Sequence, residues 1–323
     1  MSRKKVGVLR GGPSSEHEVS LKTGKTVIDA LSDKHEVFDI YIDKKGTWHY
    51  SGIPITPEKL FKKVDVVFNA MHGVYGEDGT VQKILDKFNI PYTGSTALAS
   101  AIGMNKILSK KIYKDYGLKT PIYTMVKAGE DVIKEATKIF KSFPIPAVVK
   151  PVNGGSSVGT SIVKNLSELV LGIEEALKYS DTALVEECIM GTEATCGVLE
   201  NFRGQKFYSL LPIEIVPNKM HSFFNYESKY SNESGAEEIC PGRFTSEISQ
   251  EIQRLAIEAH KVLGLRHYSR TDFMIHPKRG IYILETNTLP GLTETSLLPK
   301  SIKAVGSSLH ELFEHLINLA LKN

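Results

Sequence analysis

The sequence predicts an α/β (α+β) chain of about two or three domains, and three observations carry that prediction. A length of 323 residues with 41% hydrophobic, 24% charged and 8% aromatic side chains is the composition of an ordinary globular protein, which excludes disordered, collagen-like and coiled-coil classes. Over about the first 95 residues, short apolar runs alternate with amphipathic helical patterns, the mark of a largely parallel sheet covered by helices. Beyond them the apolar runs come as hairpin pairs instead.

Taken in order, Lys5 to Leu9 reads as a strand, followed by a Gly11-Gly12-Pro13 loop and a helix carrying Val19, Thr23, Val27, Ala30 and Leu31. Ser15 with Glu18 is the expected capping box of that helix. Val37 to Ile42 and Val64 to Ala70 are further strands, then come Met71-His72-Gly73 and a helix with Val81, Ile84, Leu85 and Phe88 on one face; Ile90 to Thr93 closes the unit. A second region opens near Gly94 with a helical stretch through Asn105 to Tyr116 and a strand at Ile122 to Lys127. Ala147 to Lys150 and Thr160 to Val163 bracket a Gly/Ser-rich connection as a hairpin, and a helix from about Leu166 to Tyr179 leads to a strand at Ala183 to Glu186. The remainder is strand-rich to Pro217 and loop-like from His221 to Gly242. It then gives a helix from Ser246 to Leu263, a hairpin at Arg270 to Glu285, and a last helix capped by Ser308 with Glu311.

The formal net charge of +3 is spread without long Lys/Arg blocks, so neither a nucleic acid nor an anionic membrane is implied as a partner. The apolar run Val6 to Leu9 is too short for a signal-peptide core, and no uncharged stretch reaches the roughly 18 to 20 residues of a membrane span. Cys188, Cys196 and Cys240 form no C-x-x-C pair and read as reduced packing residues of a cytoplasmic protein, so any metal is expected on oxygen ligands.

The C-terminal hairpin is the most informative chemistry. With Pro277 to Gly280 as the turn, His276 pairs with Ile281, Asp272 falls opposite Glu285, and Arg270 falls opposite Asn287, all four on one face. Facing carboxylates repel unless a cation lies between them, and Mg²⁺ entering with a nucleotide suits two carboxylates and an amide. A solvent-exposed hairpin face is the competing reading. Lys150-Pro151-Val152-Asn153-Gly154-Gly155-Ser156-Ser157-Val158-Gly159 lacks the Walker A order, and it precedes a strand rather than a helix. It reads as a phosphate-covering hairpin or as an ordinary surface one. Gly11-Gly12-Pro13 lacks the G-x-G-x-x-G fingerprint, and Glu16 beside it would repel a pyrophosphate; that acid suits an ammonium group, or simply the helix dipole. His72 stands at a strand end, where open α/β sheets place ligand contacts, or is a plain loop histidine. Glu186 to Glu193 could clamp an adenine and ribose, and the polar, aromatic-bearing stretch 221–242, with Lys229-Tyr230, has the length of a lid.

In this order these segments resemble the ATP-grasp enzymes and, within them, the D-alanine:D-alanine ligases. The likeness covers nearly the whole chain, through 11–20, Met71-His72-Gly73 with Gly76 to Gly79, Met104-Asn105-Lys106, 150–159, 186–193, Lys229-Tyr230, Arg270-Thr271-Asp272, Glu285 to Gly291 and Ser296-Leu297. It implies a three-domain ATP-grasp fold: an N-terminal Rossmann-like substrate domain (1–95), a central domain (96–184) and a C-terminal catalytic domain (185–323), with ATP gripped between the last two. By that likeness Lys106, Lys150 and Lys229 hold phosphates under the Gly155-Ser156-Ser157 turn. Glu186, the backbone near Ile189, and Glu193 take adenine and ribose, and Asp272, Glu285 and Asn287 hold two Mg²⁺ ions, or Mn²⁺.

The implied reaction, serving peptidoglycan and so cell-wall synthesis and cell shape, activates one D-alanine as an acyl phosphate, with loss of ADP, for attack by the amine of a second. Glu16 would bind the first ammonium, His72 its carboxylate, Arg270 and the Gly291 amide the oxyanion, and Ser296 and Leu297 the second carboxylate. A lid lock of Glu16, Ser156 and Tyr230 would exclude water, and the tyrosine, where D-lactate-using relatives carry Phe, favours an amine acceptor. Cys240 to Arg243, at the lid's far end, and His267 to Arg270, leading into the metal strand, depart from the family pattern. The likeness also implies a homodimer. Competing readings are another carboxylate-amine ligase of the superfamily, such as one making D-Ala-D-Ser, and a non-catalytic nucleotide sensor.

Overall fold

The structure, a computed structural model, describes residues 3–154, 158–217 and 236–322. The chain opens with β1 (Lys5–Gly11), α1 (His17–Leu31), β2 (Glu36–Ile42), the short hairpin β3 (Trp48–Tyr50) and β4 (Ile53–Pro54), α2 (Pro57–Phe61), β5 (Val66–Asn69) and α3 (Thr80–Lys87). The strands form one sheet in the order β4-β3-β2-β1-β5, with β1 parallel to both β2 and β5. Alternate side chains serve opposite cores: Val66 and Phe68 join Val27 and Leu31 of α1, while Val67 joins Val81 and Leu85 of α3. The expected parallel layer is therefore present, extended by a hairpin that the sequence did not signal.

The middle of the chain holds α4 (Ala97–Met104), α5 (Lys106–Asp115), β6 (Tyr123–Lys127), α6 (Val132–Ser142), β7 (Ala147–Pro151), β8 (Ser161–Val163), α7 (Leu166–Leu177) and β9 (Thr182–Glu187). The predicted stretch from Gly94 to Tyr116 is two helices broken at Asn105, whose φ of −91° and ψ of 105° are extended. Its side chain accepts from the amides of Ile107 and Leu108 and so starts α5. The antiparallel sheet β6-β9-β7-β8 buries Val149, Val163 and Val185 against Ala136 and Ile139 of α6 and Leu169 and Ile173 of α7. By alternation Lys150 and Glu186 belong to the opposite face.

The last part comprises β10 (Thr192–Phe202), β11 (Gln205–Ser209), β12 (Ile213–Val216), β13 (Glu237–Ile239), α8 (Ser246–Val262), β14 (Tyr268–His276), β15 (Gly280–Asn287), α9 (Leu297–Ala304) and α10 (Leu309–Ala320). The strand β13 lies within the stretch expected to be a loop. The sheet runs β13-β12-β10-β14-β15, with β11 also on β10. α8 covers one face through Ile252, Leu255 and Ala256, together with Tyr113 of α5. The final helix turns back: Leu312, Phe313 and Leu316 share a core with Val6, Val66 and Phe68 of the first sheet. No described helix is long and apolar enough to cross a membrane.

Two local expectations need correction. The Ser15–Glu18 capping box is not formed, because α1 begins one residue later, behind Glu16, which has no side-chain cap; Ser14 does the local bonding instead, accepting from the Glu16 amide and donating to the His72 carbonyl. The C-terminal turn is one residue shorter than expected, with His276 paired to Gly280. The Ser308–Glu311 capping box is present.

Candidate active site

The short turn would have misaligned the carboxylates, had a β-bulge not restored them. Phe273 pairs with Ile283 but Asp272 with Glu285, so Leu284 is the extra residue and Arg270 stands opposite Asn287. The four residues share the predicted face. Asp272 is tied on every side: Arg270 donates to both its oxygens at 2.9 and 3.0 Å, Asn287 at 3.1 Å, and Thr195 from β10 at 2.6 Å. Thr195 is a partner that the sequence reading missed; it lies directly across the β10–β14 ladder from Asp272.

This face forms one wall of a cleft of about 190 Å³, whose other walls come from the β7–β8 hairpin and the start of α5. Lys106, Lys150, Glu193, Asp272 and Glu285 all line it. The Lys106 ammonium donates to the Gly154 carbonyl at 2.6 Å and lies 3.4 Å from Glu285, while its own amide bonds to the Val152 carbonyl. Five of the predicted nucleotide and metal residues thus open on one space, and Asn287 reaches it through Asp272.

Glu186 lies behind this wall, 2% exposed, with one oxygen 2.9 Å from Lys150 and the other 3.0 Å from Lys110 of α5. Burial alone would push its carboxyl up, yet Lys110 and Lys150 outweigh that and hold it below the ordinary carboxylate value. Lys150 is raised: burial opposes its charge, but Glu186 and Glu285 prevail. Lys110 also went unread; its signal was the spacing of four from Lys106, which puts two lysines on one helical face. Ile189 is buried just before β10.

A second cluster gathers at the ends of β1 and β5. His72 is buried, with one ring nitrogen 2.8 Å from Thr23 and the other 3.1 Å from the Leu289 carbonyl and 3.6 Å from Glu77. Burial disfavours its charge, but Glu77 and Glu16 outweigh that and raise its pKa. Glu16 comes so near Gly73, whose φ is +73°, that a Cβ there would sit 2.7 Å from the carboxylate. The Leu289 contact brings the segment leaving β15 against this cluster. That segment continues to Gly291, where a Cβ would lie 2.9 Å from the Ser296 hydroxyl, and Ser296 stands at the N-cap of α9 without capping it, bonded instead to Thr293 at 2.7 Å. Leu297 is the first residue of α9, whose third residue, Pro299, has no amide hydrogen and whose first helical bond runs from Lys300 to the Ser296 carbonyl, so only the amides of Leu297 and Leu298 precede the helical ladder.

Gly155, Ser156, Ser157, Lys229 and Tyr230 lie outside the described residues. Among the described residues no three His, Cys, Asp or Glu side chains converge as a ready-made metal cage. Burial pushes the thiols of Cys188, Cys196 and Cys240 up, as befits packing residues.

Residues 112–318 match the family described as D-ala D-ala ligase C-terminus, and residues 5–58 and 53–95 match D-ala D-ala ligase N-terminus. The chain is 40% identical over 321 residues to a D-alanine–D-alanine ligase of Geotalea uraniireducens, covering 99% of this chain and 96% of that one. It is 36% identical to one of Thermoanaerobacter pseudethanolicus, covering 100% and 98%. Among solved structures, the VanG D-Ala:D-Ser ligase of Enterococcus faecalis superposes with a TM-score of 0.86 at 31% identity, over 99% of this chain and 100% of that one. The D-alanine-D-alanine ligase of Coxiella burnetii gives 0.84 at 28%, over 100% and 95%.

Proposed function

The chain belongs to the D-alanine–D-alanine ligase family, whose fold is the ATP-grasp, and from that premise we propose that it joins two D-alanine molecules at the expense of ATP, releasing ADP and phosphate, for peptidoglycan synthesis. The observation that carries the reading is the bulge-corrected face of Arg270, Asp272, Glu285 and Asn287, opening on the same cleft as Lys106, Lys150 and Glu193. Anionic phosphates would meet Lys106 and Lys150, with Glu193 at the ribose and Glu186 and the Ile189 backbone at the adenine end. Two carboxylates and a carboxamide fit Mg²⁺, or Mn²⁺, better than a softer metal, since the remaining positions are left for water and phosphate oxygens. When bound, such ions neutralise phosphate charge and so let a carboxylate approach.

Around that centre the chain's own groups divide the work. Glu16 would take the ammonium of the first D-alanine while His72, whose pKa its acidic neighbours raise, would sit beside its carboxylate. The amides at the start of α9, with Ser296 and Leu297, would take the carboxylate of the second. Arg270 and the Gly291 amide would stabilise the oxyanion formed when the second amine attacks the acyl phosphate. Gly155, Ser156, Ser157, Lys229 and Tyr230, with Glu16, are proposed to cover the phosphates and lock out water. The proposed domains are 1–95, 96–184 and 185–323, with the second boundary better set just past β9, which pairs with β6 and β7 as far as Glu187; the chain would work as a cytoplasmic homodimer, which sedimentation equilibrium tests.

The deciding experiment measures ADP release with Mg-ATP and D-alanine and identifies the product by mass. D-alanyl-D-alanine at about one ADP per dipeptide, with no turnover of L-alanine, is expected. A product formed only when D-serine is added would favour the E. faecalis-like D-Ala:D-Ser activity, and ATP binding without turnover would overturn the ligase reading.

A further inference from the structure

Lys110 has no role in the reading above, yet it is one of the largest fully buried side chains in the protein. A lysine is seldom buried completely unless it is paired. Its ammonium has two partners, the Glu186 carboxylate at 3.0 Å and the Thr120 hydroxyl at 2.8 Å. Each oxygen of Glu186 therefore faces a different lysine, one at the cleft wall and one behind it. Two ammonium groups and one carboxylate leave a net positive charge in a site of low dielectric, where it acts strongly on a nearby anion.

We propose that Lys110 is a positioning residue for the nucleotide: it holds one oxygen of Glu186, so that Lys150 shares only the other and presents its charge to the polyphosphate. Remove the Lys110 charge, and Glu186 and Lys150 become a neutral pair that no longer draws the nucleotide in. Lys110 itself touches neither substrate nor phosphate. The charged groups facing it are Glu186 on β9, Lys150 on β7 and, at longer range, Glu285 on β15. Burial pushes its pKa down to about 8 against the pull of Glu186, so the charge is retained at neutral pH and is sensitive to loss above it.

This inference rests on the proposed ATP-dependent reaction, so ATP affinity is measured directly, by equilibrium dialysis without D-alanine, beside steady-state kinetics. Failure of wild-type turnover would thus strike the ligase reading and leave the test of Lys110 intact. Lys110→Gln deletes the charge while keeping a polar side chain beside Thr120 and Glu186; Lys110→Arg keeps the charge. Expected for Lys110→Gln is about tenfold weaker ATP binding and a matching rise in the KM for ATP, with the KM for D-alanine nearly unchanged. Lys110→Arg should bind ATP nearly as wild type does. In wild type the KM for ATP should climb as pH passes about 8, a rise absent from Lys110→Arg. ATP binding by folded Lys110→Gln within twofold of wild type, or an equal loss in Lys110→Arg, would overturn the proposal.

Discussion

Glu77 and Glu16, which face His72, hold its pKa above the ordinary imidazole value despite burial, and the direction of its pH response follows. Its folded pKa lies above 6.5, so the stability contributed by the charged ring is fully present below the unfolded value and is lost as pH rises through the folded one. The same proton serves the proposed D-alanine carboxylate. We expect the KM for the first D-alanine to rise with pH across that window, and His72→Gln to raise it about tenfold at neutral pH and flatten the profile. A profile unchanged in the variant would remove His72 from the substrate site. Single residues of this kind were partly legible. His72 stood at a strand end beside Gly73, so its place could be read, whereas Glu77 became its partner only through the fold of the following loop. Lys110 had no legible role because its meaning lies in Glu186 and Thr120, on elements that sequence spacing does not bring together.

Among elements, α5 shows how a cap serves a site. Asn105 satisfies two amides at its start and fixes the residue behind them, Lys106, against Gly154 and Glu285. Asn105→Ala should cost about 1 kcal/mol of stability in a denaturant titration and weaken ATP binding, since Lys106 would lose its fixed origin. Ser308→Ala, an equal cap at α10 and remote from the cleft, serves as the control whose ATP affinity should not move. The hairpin β14–β15 shows why registers inferred by counting are fragile. A turn one residue too long and an unforeseen bulge at Leu284 cancelled, and the Asp272–Glu285 pairing came out as counted. Bulges leave no period-2 signature, so nothing in the run Ile281 to Glu285 could have revealed it. α6 was missed although its signal was present: Val132, Ile133, Ala136, Ile139 and Phe140 recur at helical spacing, and Asp131 caps the first turn by accepting from the Lys134 amide.

Over the whole molecule, the parallel strands of the first sheet and one hairpin of each antiparallel sheet were visible in apolar patterning, because strand period and turn residues are local. What patterning could not show is that the chain closes on itself. Phe313 of α10 stacks edge-on against Phe68 of β5 at 5.4 Å, and His35 meets Glu314 at 2.7 Å, so the first and last segments share one core. Phe313→Ala should cost about 3–5 kcal/mol and lower the unfolding midpoint of the N-terminal sheet together with the rest, followed by hydrogen exchange at Val66 to Asn69. Exchange there unaltered by the substitution would show the sheet to be independent of α10. The shared core also sets a timetable for synthesis. A ribosome adding roughly 5–20 residues per second leaves the Val66–Phe68 face covered by α1 but not by α10 for on the order of tens of seconds, an interval in which a nascent chain is open to holding chaperones and to mispairing with its neighbours on a polysome.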